Sequence, residues 1–237
     1  MSSMKFKRVL LKLSGEILRG QSPNSHDEQV LERLAQEVKR VADLGIEILI
    51  VVGGGNIFRH STHANEKMDR VTADYMGMMA TIINGLALQD IFESLGLKTR
   101  VMSAIEAHKV VEPFIRRRAI RHSEKGRVVI LTAGTGNPYF TTDSAAVLRA
   151  SELKCDVVLK GTKVDAIYSA DPKKDPQAKK YDKLTYQQVI DQKLEVMDLT
   201  AFTLAQGNSI PILVFDILKP GNLVKAASGE QIGTWVS

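Results

Sequence analysis

The segment Thr132–Ala146 carries a dense group of small polar residues directly after the strand-like run Val128–Leu131. Gly134 and Gly136 allow the backbone to approach a ligand closely. The helical pattern that follows offers unpaired N–H groups and a positive dipole end. Short hydrogen-bonding side chains come from Thr135, Asn137, Thr141 and Thr142. The segment is predicted to bind an anion such as phosphate, and the alternative is a plain connector between strand and helix.

A second candidate for phosphate binding is the run Gly53–Asn56, which contains three successive glycines. Three glycines let backbone donors touch a phosphate, whereas a structural turn seldom needs so many. The run comes near the dinucleotide pattern Gly-x-Gly-x-x-Gly. Phe58 replaces its third glycine and Asp74 lies in a helical region, so this match is weak. No window supplies a Walker P-loop, which excludes the common nucleotide-kinase architecture.

Two lysines lie in or at the end of apolar strands. Lys12 interrupts the run Leu10–Leu13, and Lys160 follows Val157–Leu159. A cation in such a place needs solvent or an anion. The two lysines are predicted to hold a transferring phosphoryl group from opposite sides, and the alternative is that their ends reach solvent. Arg59 could add a bidentate grip, although an exposed arginine just past a turn fits the sequence nearly as well.

The five histidines show no metal-ligand spacing, and no Ser/His/Asp order indicates a hydrolase. A phosphate monoester has a second pKa of about 6, so as an acceptor it is already a nucleophilic anion at neutral pH. It would need no general base. Phosphoryl transfer would then depend on positioning, lysines and a metal ion.

The chain has 237 residues, a hydrophobic share of 44% and a net charge of +5 at pH 7. These values fit one large globular domain or two lobes. The modest positive charge favours anionic ligands without requiring nucleic acid. One basic run contains Arg116–Arg118, Arg121 and His122, with no interleaved aromatic residue. It is predicted to be a solvated or subunit-facing surface, and a polyanion patch is the alternative.

Cys155 is the only cysteine, which rules out an intramolecular disulfide, and it is predicted to be a core residue. Near the N-terminus, the apolar run Val9–Leu11 is interrupted by Lys12. This run is too short for a signal-peptide core or a membrane span. We therefore expect a cytoplasmic protein with no membrane partner.

The elements that must position these residues alternate along the chain. Strands are predicted at Arg8–Leu13, Glu47–Val52, Thr99–Met102, Val128–Ala133, Asp156–Lys160 and Ile212–Phe215. Helices are predicted at Asp27–Leu44, Met68–Leu95 (long or broken), around Glu112–Arg121, at Ser144–Leu153 and Val196–Gln206, and from Pro220–Asn222 onwards. Ser25 and Glu28 have the spacing of a capping box for the first helix.

This order predicts an α/β fold, a three-layer sandwich with a mostly parallel central sheet covered by helices on both faces. Ligands are then expected beyond the carboxyl ends of the strands. Three glycine-containing loops fall there, at Ser14–Glu16, Gly53–Asn56 and Gly134–Asp143. The segment Ser169–Asp182 is polar and rich in lysine and proline, which predicts a surface loop or lid rather than a strand or helix.

Across essentially its whole length the chain resembles the bacterial uridylate kinases of the amino acid kinase superfamily. The resemblance rests on the following segments: Leu11–Glu16, Val51–Arg59, Asp74–Ala80, Thr132–Ala146, Val158–Asp165, Ala170–Pro172 and Val196–Leu199. It implies a single domain over residues 1–237, with an acceptor side in the N-terminal part and an ATP side in the C-terminal part. It also implies ATP-dependent conversion of UMP to UDP with Mg²⁺, on a homo-oligomer that is typically a hexamer.

The resemblance assigns roles to individual residues. Catalysis would involve Lys12, Asp143 and Lys160. The ATP phosphates would be contacted by Lys12, Leu13, Ser14, Gly15, Gly55 and Arg59, and the nucleoside part of ATP by Thr162, Tyr168 and Asp171. UMP would be bound by Gly54, Asp74, Thr135, Gly136, Asn137, Pro138, Tyr139, Phe140, Thr141 and Thr142. Among these, Asp74 suits ribose hydroxyls, and Asn137 and Thr141 suit the uracil edge.

One segment departs from the family. Members that respond to GTP usually carry a glycine-rich segment after the first strand, where this chain has Arg19–His26. We therefore expect little activation by GTP. Feedback inhibition by UTP is compatible with the resemblance and would arise from product-like occupancy of the acceptor site. Two rival functions remain open: a kinase of a carboxylate or carbamate, and a storage or regulatory protein that binds nucleotides without turnover. The first is disfavoured by Asp74 with Thr135–Thr142, which suit a nucleoside monophosphate, and the second by the presence of Lys12, Asp143 and Lys160 together.

Overall fold

The strands of the protein form one large sheet and one small one. The structure is a computed structural model that describes residues 6–59, 68–170, 172, 174–175, 177–194 and 196–237. The strands are β1 (Arg8–Leu13), β2 (Glu47–Val52), β3 (Thr99–Ser103), β4 (Glu112–Pro113), β5 (Val128–Thr132), β6 (Val157–Thr162), β7 (Ile167–Tyr168), β8 (Lys180–Tyr181), β9 (Lys183–Leu184), β10 (Ile212–Asp216) and β11 (Thr234–Val236). The large sheet has the order β4-β3-β5-β2-β1-β6-β10-β11-β9, and β7 pairs with β8 in the small one.

Seven of the eight strand pairs in the large sheet are parallel, and β10 with β11 is the antiparallel pair. The helices are α1 (Gly15–Arg19), α2 (Glu28–Asp43), α3 (Arg70–Ser94), α4 (Arg116–Glu124), α5 (Thr142–Leu153), α6 (Tyr186–Asp191), α7 (Leu199–Asn208) and α8 (Asn222–Ala227). Among the described residues, no helix is long and apolar enough to cross a membrane.

Helices cover both faces of the large sheet. Side chains alternate along β1, so that Val9, Leu11 and Leu13 pack against α1, α2, α3 and α8. Leu10 points the other way and packs with residues of α4, α5, α6 and α7. Cys155 belongs to this second core, and burial raises the pKa of its thiol to about 12. The predictions of an α/β sandwich with a mostly parallel sheet, and of a core cysteine, are therefore confirmed.

Several predicted boundaries are wrong for local reasons. Asp27, not Ser25, caps α2 by accepting a hydrogen bond from Val30 N, so no capping box forms with Glu28. The helix predicted around Glu112–Arg121 begins only at α4, because Glu112–Pro113 pairs as an edge strand with β3. Proline disfavours helical geometry in the residue before it and is tolerated at a sheet edge.

In the C-terminal part, α7 begins after Asp198, which caps it by accepting from Ala201 N at 2.9 Å. The segment Ser169–Asp182 is not wholly a loop, because Lys180–Tyr181 pairs antiparallel with β7. The sequence pattern does not predict the short elements α1, α6, β9 and β11. Of these, α1 matters most, since it begins at Gly15 in the predicted phosphate loop.

Candidate active site

Three loops meet at the carboxyl ends of β1, β2 and β5. A Cβ atom placed on Gly53 would lie 3.3 Å from the backbone nitrogen of Gly15 and 3.6 Å from Thr142 Oγ1. Gly53 N also donates to Leu13 O at 2.9 Å. The predicted convergence of the glycine-containing loops at one edge of the sheet is thus confirmed, and a side chain at Gly53 would be in tight contact with the backbone of Gly15.

An ion triplet lies beside this junction. Asp143 Oδ1 is 2.7 Å from Lys12 Nζ, and Asp143 Oδ2 is 2.8 Å from Lys160 Nζ. Lys12 and Lys160 are partners in the register of β1 and β6, so both side chains leave the same face of the sheet. Helix α5 begins above them and brings Asp143 into its first turn. Lys160 Nζ also donates to Val196 O. The structure therefore brings the three predicted catalytic residues together.

Burial and charge oppose each other in this triplet. Burial alone would raise the pKa of Asp143, but the attraction of Lys12 and Lys160 outweighs it and holds that pKa below its ordinary value. Burial, followed by repulsion from Lys12, lowers the pKa of Lys160 to about 8, although Asp143 opposes the change. Asp143 is thus a fixed anion at neutral pH, and Lys160 is a cation whose charge is lost in mildly alkaline solution.

The N-terminus of α5 is held in place by a carboxylate that the sequence pattern does not single out. Thr141 caps the helix by accepting from Asp143 N and Ser144 N at 3.1 and 3.2 Å. Asp198 accepts from the hydroxyl groups of Thr141 and Ser144. Asp198 also caps α7, so it ties two helix N-termini together at the edge of the site. It lies in one of the segments that carry the family resemblance, but a partner more than fifty residues away leaves no local signal.

A cavity of about 490 Å³ opens on the side of the triplet toward α3. Its lining includes the predicted acceptor residues Gly54, Asp74, Thr135, Asn137, Phe140, Thr141 and Thr142, together with Gly55 and Arg59. Gly136, Pro138 and Tyr139 belong to the same loop but do not line the cavity. Gly55 and Arg59, predicted to contact ATP, therefore lie in the cavity of the acceptor residues, and Arg59 forms an ion pair with Glu16.

Asp74 occupies the wall of this cavity and is engaged on both oxygens. Arg70 Nε donates to both of them at 2.9 Å, and Tyr139 N donates to Oδ2 at 2.7 Å. Tyr139 has a φ of 71°, an uncommon conformation for a residue with a side chain. The contact joins α3 to the loop after β5, so the carboxylate links the two walls of the cavity.

A second cavity, of about 450 Å³, lies beyond the ends of β6 and β7. Its lining includes two predicted residues of the ATP nucleoside site, Thr162 and Tyr168, along with Val196. Tyr168 donates from its hydroxyl to Asp165 Oδ1 at 2.9 Å. Asp171, the third predicted residue of this site, lies outside the described residues. Leu13 is buried in the core, so only its backbone can reach a ligand.

The family model of the amino acid kinase family matches residues 7–216. The chain belongs to the amino acid kinase family. Among solved structures it is similar to the UMP kinase from Bacillus anthracis, with 42% identity, 98% of this chain and 96% of that chain covered, and a TM-score of 0.95. It is also similar to the UMP kinase from Ureaplasma parvum, with 41% identity, 99% of this chain and 100% of that chain covered, and a TM-score of 0.93. The uridylate kinase from Archaeoglobus fulgidus is more distant, with 29% identity, 97% of this chain and 99% of that chain covered, and a TM-score of 0.74.

Proposed function

We propose that the chain is an ATP-dependent UMP kinase, which transfers the γ-phosphoryl group of ATP to UMP and so forms UDP and ADP for pyrimidine nucleotide synthesis. The observation that carries the proposal is the position of the ion triplet at the margin of both cavities. Thr142, next to Asp143, lines one cavity. Val196, whose carbonyl accepts from Lys160, lines the other. A phosphoryl group passing between the two cavities would cross beside Lys12 and Lys160.

The first cavity is the proposed acceptor site. Asp74 would accept hydrogen bonds from the ribose hydroxyls, exchanging its contact with Tyr139 for the ligand. Asn137 and Thr141 would meet the uracil edge, and Gly54 would meet the phosphate through its backbone. A Cβ on Gly54 would lie 2.7 Å from Gly77 O, so only glycine brings the turn this close to α3.

The second cavity is the proposed site for the nucleoside part of ATP, with Thr162, Tyr168 and Asp171 around it. Its phosphates would reach Lys12 and the backbone of Ser14 and Gly15 at the start of α1. In this arrangement the acceptor side lies in the N-terminal part of a single domain and the ATP side in its C-terminal part.

A magnesium ion would enter with ATP. Mg²⁺ usually keeps several waters and takes one or two carboxylates in addition to substrate phosphates. Among the described residues there is no group of three or more side chains suited to hold a metal. The nearby carboxylates of Asp143 and Asp198 are already held by lysines and hydroxyl groups. The phosphates would therefore carry most of the ion's coordination, and the ion would neutralise charge on the transferring group.

The chain's own residues contribute position and charge. Lys12 and Lys160 would stabilise the negative oxygens of the migrating phosphoryl group, an effect that is strong in a partly buried site. Asp143 fixes the direction of both ammonium groups and keeps Lys160 protonated at neutral pH. The N-terminus of α5 adds the positive end of its helix dipole beside the transfer path. No residue needs to remove a proton, because the acceptor phosphate is already an anion.

Self-association is proposed to use α3. Tyr75, Met76, Met79 and Ile83 are between 41% and 53% exposed and recur along one side of this helix. Such a stripe of large apolar side chains is typical of an interface. We place the homohexamer expected from the resemblance on this surface, in a cytoplasmic enzyme, and the basic run Arg116–Arg121 on a solvated or subunit-facing side.

The substrate is tested by coupled ADP release with UMP, CMP, AMP and carbamate as acceptors at fixed ATP and Mg²⁺. The proposal expects UMP to give the highest kcat/KM. Turnover of carbamate or a carboxylate in preference to UMP would make the chain a different kinase of its family. ATP and UMP binding without ADP release would support the regulatory alternative.

A further inference from the structure

Two asparagines form a buried pair beneath the phosphate loops. Asn84, in the middle of α3, is fully buried, and Asn56, at the end of the triglycine turn, is 3% exposed. Asn84 Nδ2 donates to Asn56 Oδ1 at 2.8 Å, and Asn56 Nδ2 donates to Asn84 Oδ1 at 3.0 Å. Each amide therefore gives and receives one hydrogen bond across the pair, in an interior where an unpaired amide would be costly.

The pair also binds outward, and every amide hydrogen is used. Asn84 Nδ2 donates its second hydrogen to Gly53 O at 2.7 Å. Asn56 Nδ2 donates its second hydrogen to Ser25 O at 2.7 Å. Backbone carbonyls can only accept, so they dictate which way both amides face. The remaining contact is from His26 Nε2 to Asn84 Oδ1 at 2.8 Å, and Nε2 must carry the proton because the oxygen cannot donate.

The pair touches both phosphate turns of the proposed site. A Cβ on Gly15 would lie 2.2 Å from Asn56 Oδ1 and 2.9 Å from Gly53 O, so the start of α1 rests directly on the pair. Gly53 is held from both ends, since its nitrogen donates to Leu13 O. Among the described residues, the nitrogens of Gly54 and Gly55 donate no hydrogen bond. These two N–H groups can donate to a phosphate, and the nitrogen of Gly54 is bonded directly to the carbonyl carbon of Gly53, whose oxygen Asn84 holds.

We propose that Asn84, paired with Asn56, is a positioning residue that sets the triglycine turn in the geometry required for phosphoryl transfer. Its kinetic consequences rest on the proposed function, whereas the structural role does not. A displacement of about 1 Å in a group that orients the reaction can reduce the rate about 100-fold. A hydrogen bond at 2.7 Å from a fully buried helix residue to Gly53 O resists such a displacement.

The chain offers a matched pair of variants, Asn84→Asp and Asn56→Asp. Each replaces a buried amide by a carboxylate of the same shape, and each turns two hydrogen bonds into repulsive pairs of acceptors. Asn84→Asp breaks the hydrogen bonds that Asn84 donates to Asn56 and to Gly53 O. Asn56→Asp breaks those that Asn56 donates to Asn84 and to Ser25 O. The two variants differ in the backbone contact that is lost. Asn84→Asp frees the carbonyl of Gly53 in the triglycine turn, whereas Asn56→Asp frees the carbonyl of Ser25 in the segment between α1 and α2.

The kinetic experiment measures kcat and KM for ATP and UMP in both variants, beside their melting temperatures. We expect similar losses in melting temperature, a fall in kcat of about 100-fold in Asn84→Asp, and a much smaller fall in Asn56→Asp. Equal kcat losses in the two variants, or an unchanged kcat in Asn84→Asp, would overturn the positioning role. If a carboxylate prevents folding, Asn84→Ala and Asn56→Ala make the same comparison.

Hydrogen exchange of the full chain without substrates separates this proposal from the proposed function. We expect Asn84→Asp to accelerate exchange in the peptide that contains Gly53–Asn56, and Asn56→Asp to accelerate it more in the peptide around Ser25 and His26. Identical exchange in the Gly53–Asn56 peptide of the wild type and Asn84→Asp would refute the inference. Failure of the wild type to phosphorylate UMP would refute the proposed function. The exchange result would then still decide whether Asn84 holds the triglycine turn.

Discussion

Replacing Asp143 by asparagine removes the carboxylate that contacts both Lys12 and Lys160, at 2.7 and 2.8 Å. An opposite charge at such a distance typically changes a pKa by about 1 to 3 units. The pKa of Lys160 is about 8 with Asp143 in place. Asp143→Asn should therefore lower the pKa of Lys160 further below that value. Lys160 would then be mostly neutral at the pH where about half of the wild-type molecules still carry its charge.

The same substitution bears on stability. The difference between the ordinary value of 10.5 and about 8 means that holding Lys160 charged already costs about 3 kcal/mol in the folded wild type. Leaving a buried charge without its partner typically costs about 3 to 5 kcal/mol. Loss of the proton from Lys160 offsets part of this cost in Asp143→Asn. Because the depressed pKa belongs to a lysine, the destabilisation should be largest at low pH and should diminish as the pH rises through the new pKa.

The assay is kcat/KM for ATP at a UMP concentration well below its KM, from about pH 5 to about pH 10, since this ratio then reports groups of the free enzyme. The wild type should lose activity above a pH of about 8 as Lys160 loses its proton. The fall in kcat should come at a higher pH than the fall in kcat/KM, because bound phosphates favour the charged form of Lys160. NMR of ¹³C-labelled lysine gives the pKa directly.

The control is Asp43→Asn, which removes an exposed carboxylate paired with Lys39 at 3.1 Å. This variant should keep the wild-type profile. An Asp143→Asn enzyme that loses activity at the same pH as the wild type would refute the electrostatic reasoning. So would an NMR titration in which the pKa of Lys160 does not change.

Four further predictions concern the site and its surroundings. Lys12→Ala should reduce kcat by about 100-fold or more with little change in KM; unchanged kcat in steady-state kinetics would remove its catalytic role. Asp74→Asn should weaken UMP binding by about 1 to 3 kcal/mol, and equal losses for ATP by calorimetry would contradict the assignment. GTP added at fixed ATP and UMP should alter the rate little, and a saturable activation of several-fold would show an effector site. Cys155 should resist thiol reagents at pH 8, because burial raises its pKa to about 12; rapid labelling of the native protein would argue against that burial.

The parts of the site that could be predicted are those with a local signal. Lys12 and Lys160 stand out because a charge within an apolar strand has few explanations, and the structure puts both at one junction. The Gly53–Asn56 turn stands out by composition. In each case neighbouring residues in the chain carry the information.

The parts that could not be predicted depend on partners far apart in sequence. Asn84 looks like one polar residue in a long apolar helix, and its partner Asn56 is 28 positions away. Asp198 has the same difficulty with Thr141. Very short strands such as β9 and β11 have too few residues to show a period, so their existence depends on the sheet beside them.

The large sheet ends in two of its shortest strands, Glu112–Pro113 at one side and Lys183–Leu184 at the other. Each strand offers only two residues to a strand of another molecule. In the first of them, one of these residues is Pro113, which has no N–H group. Short edges that carry proline or lysine discourage the addition of strands from other molecules. Copies of this chain that meet at high concentration should consequently be poorly suited to unlimited growth by strand pairing at these two edges.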